Sequence, residues 1–324
     1  MTKLEDVAEE AGVSASTVSR ALSRPDMVSE ATRTRVLDAA ERLGYRHNQA
    51  ARALVTGRTG LLAFSVPSLA NPYYAPVIAG AQAAAEEAGC ELIVVVTDGS
   101  AEREQALYAR LSERVDGFAA AAPVSAGTQL SQVARKRPLV TLNRRVRGVS
   151  SVVVDTPAGM GALGGHLAGL GHRRIAYLGG PDGSWLDPRR LSALREAVPD
   201  CEVAALGPYP PEFEAGVRAA DAVLDTGCTA VIAYSSTLLI GLLHRLTLLG
   251  KSAPHDLSLA CADDLSASGL AMPEVTALHV PAAEAGRRAV QRLLETVTSG
   301  PTAATHQLLP VELLTRASTG RPAA

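Results

Sequence analysis

Aromatic residues are scarce in this chain of 324 residues: one Trp, seven Tyr and three Phe amount to 3%. A core must then be built largely from Ala, Val and Leu. Cysteine is equally sparse. Cys90, Cys201, Cys228 and Cys261 lie far apart, and no CxxC or Cys/His ligand spacing is present. This argues against a metal module or a disulfide scaffold and predicts buried, reduced thiols. No apolar run reaches the roughly 18–20 residues of a membrane-spanning helix. The N-terminus carries acids within its first ten residues and lacks a signal-peptide pattern, so a cytoplasmic protein with no membrane partner is expected. Strong net charge is missing as well, at −2, which does nothing to favour nucleic acid. There is no G-x-S-x-G elbow, P-loop, H-E-x-x-H or carboxylate pair with a positioned partner. No catalytic residue, metal ligand or cofactor is therefore assigned.

Charge distribution says more than its sum. Residues 1–58 hold one Lys and eight Arg against eight acids, but residues 42–58 carry Arg42, Arg46, Arg52 and Arg58 with no acid. A segment of that kind suits an approach to phosphates. Upstream, Thr2 and Glu5 have the T-x-x-E form of a capping box. Leu4, Val7, Ala8 and Ala11 follow at the spacing of an amphipathic helix. Gly12 stops that helix and Ser14 starts another, whose inner stripe is Val18, Ala21 and Leu22, leaving Ala15, Ser16, Thr17 and Arg20 outside. A third helix is expected from the Ser29 cap to Gly44. Two short helices across a glycine turn, with small and polar outer residues on the second, describe a helix-turn-helix. Small residues let a helix enter a major groove about 12 Å wide, where Ser14, Ser16, Thr17 and Arg20 meet base edges or phosphates. An ordinary three-helix bundle is the plainer alternative.

Asn48 can cap a further short helix, about 48–56, that is too short to persist alone in water. Leu54 is its large apolar residue, flanked by Arg52 and Arg58. An apolar wedge beside arginines is what minor-groove insertion requires, although a plain linker also fits.

From Leu61 onward short apolar strands alternate with helical stretches. Strands are read at Leu61–Val66, Leu92–Thr97, Gly117–Ala122, Leu139–Leu142, Val152–Asp155, Ile175–Leu178, Ala230–Tyr234 and Leu257–Ala262. Helices include Val77–Ala88, Glu102–Glu113 and Leu238–Leu249. The alternation predicts α/β architecture with parallel sheets, in two lobes, and a ligand cleft at the C-terminal ends of the strands.

Asp6-Val7-Ala8, Ala11-Gly12-Val13-Ser14, Thr17-Val18-Ser19-Arg20, Val28-Ser29, Leu43-Gly44-Tyr45, Asn48, Ala51-Arg52 and Leu54 stand in order and at the right spacing. Together they resemble the lactose-repressor (LacI/GalR) family. Further matches include Asn71-Pro72-Tyr73-Tyr74, Leu170-Gly171-His172-Arg173-Arg174 and Asp263-Asp264. The resemblance implies an all-α headpiece with hinge helix over residues 1–57, then an effector-binding and dimerisation domain over 58–324. That domain would have the two-lobed form of a periplasmic sugar-binding protein. Its first lobe would take about 60–158 and 282–309, and its second about 159–280 and 310–324. The family's reading head would use Ser14, Ala15, Ser16, Thr17 and Arg20, and its hinge Asn48, Arg52 and Leu54. Its effector site would use Tyr73, Tyr74, Arg144, Arg190, Ser235 and Asp263. The sequence departs from the family at several places: His47 for a common proline, Ser235-Ser236 for Asn-Asp, Cys261-Ala262 for Gly-Phe, and Asn143 for an acid. The ring expected near Pro211 is absent, with Tyr209, Phe213 or Trp185 as substitutes.

One motif points elsewhere. Gly159-x-Gly161-x-x-Gly164 follows a strand, as in a dinucleotide-binding dehydrogenase. Thr156 and Pro157 instead predict a helix that begins before these glycines and buries them within it. The expected function is thus that of a sequence-specific DNA-binding transcriptional regulator, not an enzyme. It would be a repressor and homodimer on double-stranded operator DNA, modulated by a small-molecule effector of carbohydrate type. A ligand-blind architectural DNA-binding protein is the remaining rival.

Overall fold

Apolar spacing becomes packing in the first unit. Helix α1 (Leu4–Ala11) buries Val7, Ala8 and Ala11. Helices α2 (Ala15–Ser23) and α3 (Glu30–Arg42) complete a small core with Val18, Ala21, Val36, Ala39 and Ala40. Gly12 ends α1 at φ +66°, a left-handed conformation that costs glycine least. The capping box proves to be displaced by one residue. Lys3 is the N-cap, its backbone N–H donating to the Asp6 carboxylate at 2.7 Å. Thr2 instead donates its hydroxyl to the Leu43 carbonyl at 3.0 Å, tying the start of α1 to the C-terminal end of α3. Ser14 and Ser29 accept from the N–H groups of Thr17 and Thr32, capping α2 and α3 as expected.

The computed structural model describes residues 2–23, 27–45, 58–264, 274–300 and 303–323. It divides into two units, Met1–Gly60 and Leu61–Ala324. The expected hinge residues Asn48, Arg52 and Leu54 lie outside the described residues.

The second unit opens with β1 (Leu61–Val66), α4 (Tyr74–Glu87), β2 (Glu91–Val96) and α5 (Ala101–Leu111). It continues through β3 (Gly117–Ala121), α6 (Gly127–Lys136), β4 (Leu139–Leu142) and β5 (Ser150–Val154). The chain then passes to a second lobe through α7 (Thr156–Leu170), β6 (Arg174–Leu178), α8 (Asp187–Ala197), β7 (Glu202–Leu206) and α9 (Phe213–Asp225). There it adds β8 (Ala230–Ala233), α10 (Ser236–Leu248), β9 (Ser258–Cys261) and β10 (Thr276–His279). It returns for α11 (Ala282–Ser299) and β11 (His306–Leu309), and crosses last to β12 (Glu312–Leu314). Two six-stranded sheets result, in the orders β11-β5-β4-β3-β1-β2 and β12-β10-β9-β8-β6-β7. Their pairings are parallel except for β12 on β10. Three crossings therefore join the lobes, at Asp155, at 280–281 and at 310–311. The first falls three residues ahead of the expected position near 158, because Asp155 caps α7 by accepting from the Ala158 N–H.

Small residues replace aromatic bulk where helices meet. A β-carbon on Gly286 would lie 1.9 Å from the Val77 carbonyl oxygen, and one on Gly80 1.8 Å from that of Ala283. Helices α4 and α11 thus pack backbone to backbone. Gly216 and Gly241 do the same for α9 and α10. Gly159 and Gly164 lie inside α7, a β-carbon on either meeting the side chains of Leu278 or Leu194 within 2.6 Å. They serve helix packing and form no phosphate turn. The thiols are less buried than the sequence predicts: all four cysteines are free, but only Cys261 is fully buried. The other three sit near element ends. Among the described residues no helix is long and apolar enough to cross a membrane, and no His, Cys, Asp or Glu cluster has the form of a metal site.

Candidate functional site

In the first unit, α2 presents one polar face. Ser14 and Ser16 are exposed, their hydroxyls 2.9 Å apart, and Ser14 also lies 2.8 Å from the Thr17 hydroxyl. Arg20 is exposed one turn further on and donates to Ser16 Oγ at 3.4 Å. Three hydroxyls and one guanidinium thus share a surface without a bulky apolar group among them. Ala15, placed outside by the sequence reading, is half-buried and packs on the three-helix core.

In the second unit a cleft lies between the two sheets, and each of its walls is built from residues that follow a strand. Tyr73 and Tyr74 come after β1, Asn143 after β4, and Thr156 after β5. Trp185 and Arg190 come after β6, Tyr234 and Ser235 after β8, Asp263 after β9, and Val280 after β10. Parallel strands end on one side, so loops from both lobes converge there. The cleft has a volume of about 120 Å³. That is room for on the order of ten waters, or one sugar-sized ring. Its apolar lining is rich in rings, taking the single Trp and three of the seven Tyr. Tyr73 and Tyr74 meet edge to face at 5.1 Å.

Arg190 is the cationic centre of the cleft. It is 8% exposed, donates from Nε to the Thr156 hydroxyl at 2.8 Å, and donates from Nη1 to the Tyr234 carbonyl at 3.1 Å. Its guanidinium also lies over the Tyr234 ring, 4.6 Å from the centroid. Burial works against its charge, but Tyr234, Tyr177, Asp263 and Asp187 outweigh that and hold its pKa above the ordinary value. Asp263 is held by the Ser236 N–H at 2.6 Å and by the Cys261 thiol at 3.1 Å, with the Ser236 hydroxyl at 3.4 Å. Burial pushes its carboxyl upward. The Tyr73 phenol is pushed up to about 12, again chiefly by burial.

Five of the six expected effector residues line this cleft: Tyr73, Tyr74, Arg190, Ser235 and Asp263. Ser235 also caps α10, accepting from the Leu238 N–H at 3.4 Å. Arg144 does not line it. Its guanidinium turns away to the Pro123 carbonyl, beside Glu104 and Tyr108. Asn143, which does line the cleft, has a left-handed backbone at φ +60° in a bend, and beyond it the Arg144 side chain takes another direction. Of the proposed ring substitutes Tyr209, Phe213 and Trp185, only Trp185 lines the cleft, where Pro211 itself also stands, while Phe213 meets the His244 ring at 5.4 Å in a tilted contact. Sequence reading missed Tyr234 and Thr156; their positions at a strand's end and a helix's start are the signal that marks them.

Residues 3–48 match the family model for bacterial regulatory proteins of the lacI family, and residues 165–319 match that of a periplasmic binding protein-like domain. The HTH-type transcriptional regulator CelR of Thermobifida fusca is 30% identical over 97% of this chain and 97% of its own length. The chain belongs to the LacI family. Like this relative, the LacI-family chain is a DNA-binding transcriptional regulator. Its fold matches the solved CelR–cellobiose complex at 29% identity, with a TM-score of 0.72 over 98% of this chain and 100% of that one. It also matches the lac repressor dimer bound to operator and the anti-inducer ONPF, at 25% identity and a TM-score of 0.82 over 98% and 99%. For a LacI-family member, the α2 face and the interlobe cleft are the two places where recognition chemistry gathers.

Proposed function

We propose that this protein is a cytoplasmic transcriptional repressor, not an enzyme, that binds a pseudo-palindromic operator as a homodimer. A saccharide in the interlobe cleft modulates its grip. The carrying observation is the cleft itself: aromatic walls around a buried guanidinium and a carboxylate, fed by loops from both lobes. Rings cover the apolar face of a sugar while Arg190 and Asp263 hydrogen-bond its hydroxyls. Related solved structures hold cellobiose or an operator with an anti-inducer, which supports both halves of the reading. Ser14, Ala15, Ser16, Thr17 and Arg20 would meet the major groove, since one such helix covers few base pairs and two are needed for specificity. Asn48, Arg52 and Leu54 would form the hinge, with Leu54 as minor-groove wedge.

The test is a binding-site selection from random duplex, followed by anisotropy titration of the selected site with and without a saccharide panel. The expected result is one selected palindrome bound by a dimer, and a saccharide that changes its affinity by roughly 5- to 150-fold. No discrimination of any selected duplex from random sequence at moderate salt would end the proposal.

A further inference from the structure

The cleft's hydrogen bonds are unbalanced in one direction. Arg190 spends Nε and one N–H of Nη1 on two neutral acceptors, Thr156 and Tyr234. Among the described residues no carboxylate lies within 4.0 Å of it, and Nη2 has no hydrogen-bond partner. Asp263 shares the cleft but is engaged by Ser236 and Cys261. Asp182 stands exposed at the mouth and accepts from the Gly183 N–H.

Asn143 extends the imbalance. Its Oδ1 accepts the Val154 backbone N–H at 3.0 Å. An N–H can only donate, so the amide orientation is fixed, and Nδ2 must be the atom that donates to the Tyr73 hydroxyl at 2.8 Å. Tyr73 Oη is therefore an acceptor in that bond, and its own proton is left to point into the cleft. A carboxylate at position 143 would reverse the bond and consume that proton. Two donors, a charged guanidinium edge and a phenol, thus face the cavity, beside an Asp263 carboxylate that keeps a lone pair for a hydroxyl.

From this geometry we infer that the effector is an anionic saccharide bearing a carboxylate, of the uronic or aldonic acid class, with its carboxylate seated between Arg190 Nη2 and Tyr73 Oη. The inference rests on the saccharide reading above and narrows it. A carboxylate offers two oxygens to two donors. A phosphate dianion would call for more donors and a second cation, and the cleft has Arg190 alone among the described lining residues.

The experiment is calorimetric titration of the full-length dimer with matched pairs: D-glucose against D-glucuronate, D-galactose against D-galacturonate, and D-gluconate, with D-glucose 6-phosphate as the phosphate arm. At least one acid should bind tenfold or more tighter than its neutral twin. In Tyr73→Phe that preference for the acid over its neutral twin should fall about fivefold or more. Asn143→Asp should abolish the preference, and circular dichroism of both variants excludes unfolding as the cause. Neutral sugars binding as well as the acids would overturn the inference and leave the saccharide reading intact. Binding of the phosphate alone would also overturn it. Silence across every pair would overturn both.

Discussion

Arg316 grips Asp264 through two hydrogen bonds, Nη1 to Oδ1 at 2.7 Å and Nη2 to Oδ2 at 3.1 Å. The same guanidinium donates to the Val275 carbonyl at 2.7 Å. Both side chains are largely buried, at 16% and 13% exposure. The pair ties the segment after β12 to the loop after β9, one residue from the Asp263 carboxylate in the cleft.

Cutting this tie should cost about 2–3 kcal/mol, the usual worth of hydrogen bonds to charged groups that are shielded from water. Arg316→Gln is expected to lower the urea midpoint accordingly. It should also weaken effector binding, because the loop that aims Asp263 loses its anchor. Unchanged stability would show that the pair contributes nothing net.

The glycine contacts predict opposite signs for one substitution. Gly286→Ala and Gly241→Ala place a methyl within 2 Å of a carbonyl oxygen and should destabilise by about 1–3 kcal/mol through forced separation of helices. Gly165→Ala and Gly169→Ala, which lie in α7, exposed and meeting nothing within 4 Å, should stabilise by roughly 0.5–1 kcal/mol. Thermal melts of the four variants decide it.

A pH dependence follows from His172. The ring is buried between Thr229, which meets Nδ1 at 2.8 Å, and Gly320, whose carbonyl accepts from Nε2 at 2.9 Å. Burial lowers its pKa below the ordinary 6.5, and His166 is lowered for the same reason. The unfolded state then binds protons first, so the stability these histidines contribute is complete above about pH 6.5 and is lost as pH falls through their folded values. Urea midpoints should drop between pH 7.5 and pH 5. His172→Gln should flatten that slope; an identical slope in the variant would exonerate the histidine.

On the DNA side, Arg20→Ala should weaken operator binding by about 1–3 kcal/mol and leave saccharide affinity unchanged. If Arg20 reads a base, discrimination at one operator position relaxes. If it meets a phosphate, the loss is uniform and the slope of log affinity against log salt becomes shallower by about one unit. Anisotropy titrations on single-base operator variants at two salt concentrations separate the cases.

How much of this was legible beforehand depends on what each residue's position encodes. Central strands such as Leu61–Val66 and Leu139–Leu142 are apolar on both faces, so their runs stand out. Glu202–Leu206 is an edge strand with an exposed Glu, and β12 has only three residues. Neither carries enough apolar signal to be read alone. Tyr73, Arg190 and Asp263 were marked by family resemblance rather than by periodicity, and the fold gathers them because each follows a strand. Arg144 was misplaced because a motif fixes where a residue stands in the chain, not where it points. The left-handed backbone at Asn143 decides that, and asparagine's tolerance of such backbone was the available clue.

The three crossings between lobes bear on how the sensor comes into being. Neither sheet is one uninterrupted stretch of chain: β11, which closes the first, begins at His306, and β12, which closes the second, begins at Glu312. During synthesis each lobe therefore lacks one edge strand until the segment from His306 to Leu314 has left the ribosome. A message broken before His306 would leave two open sheet edges rather than one finished lobe.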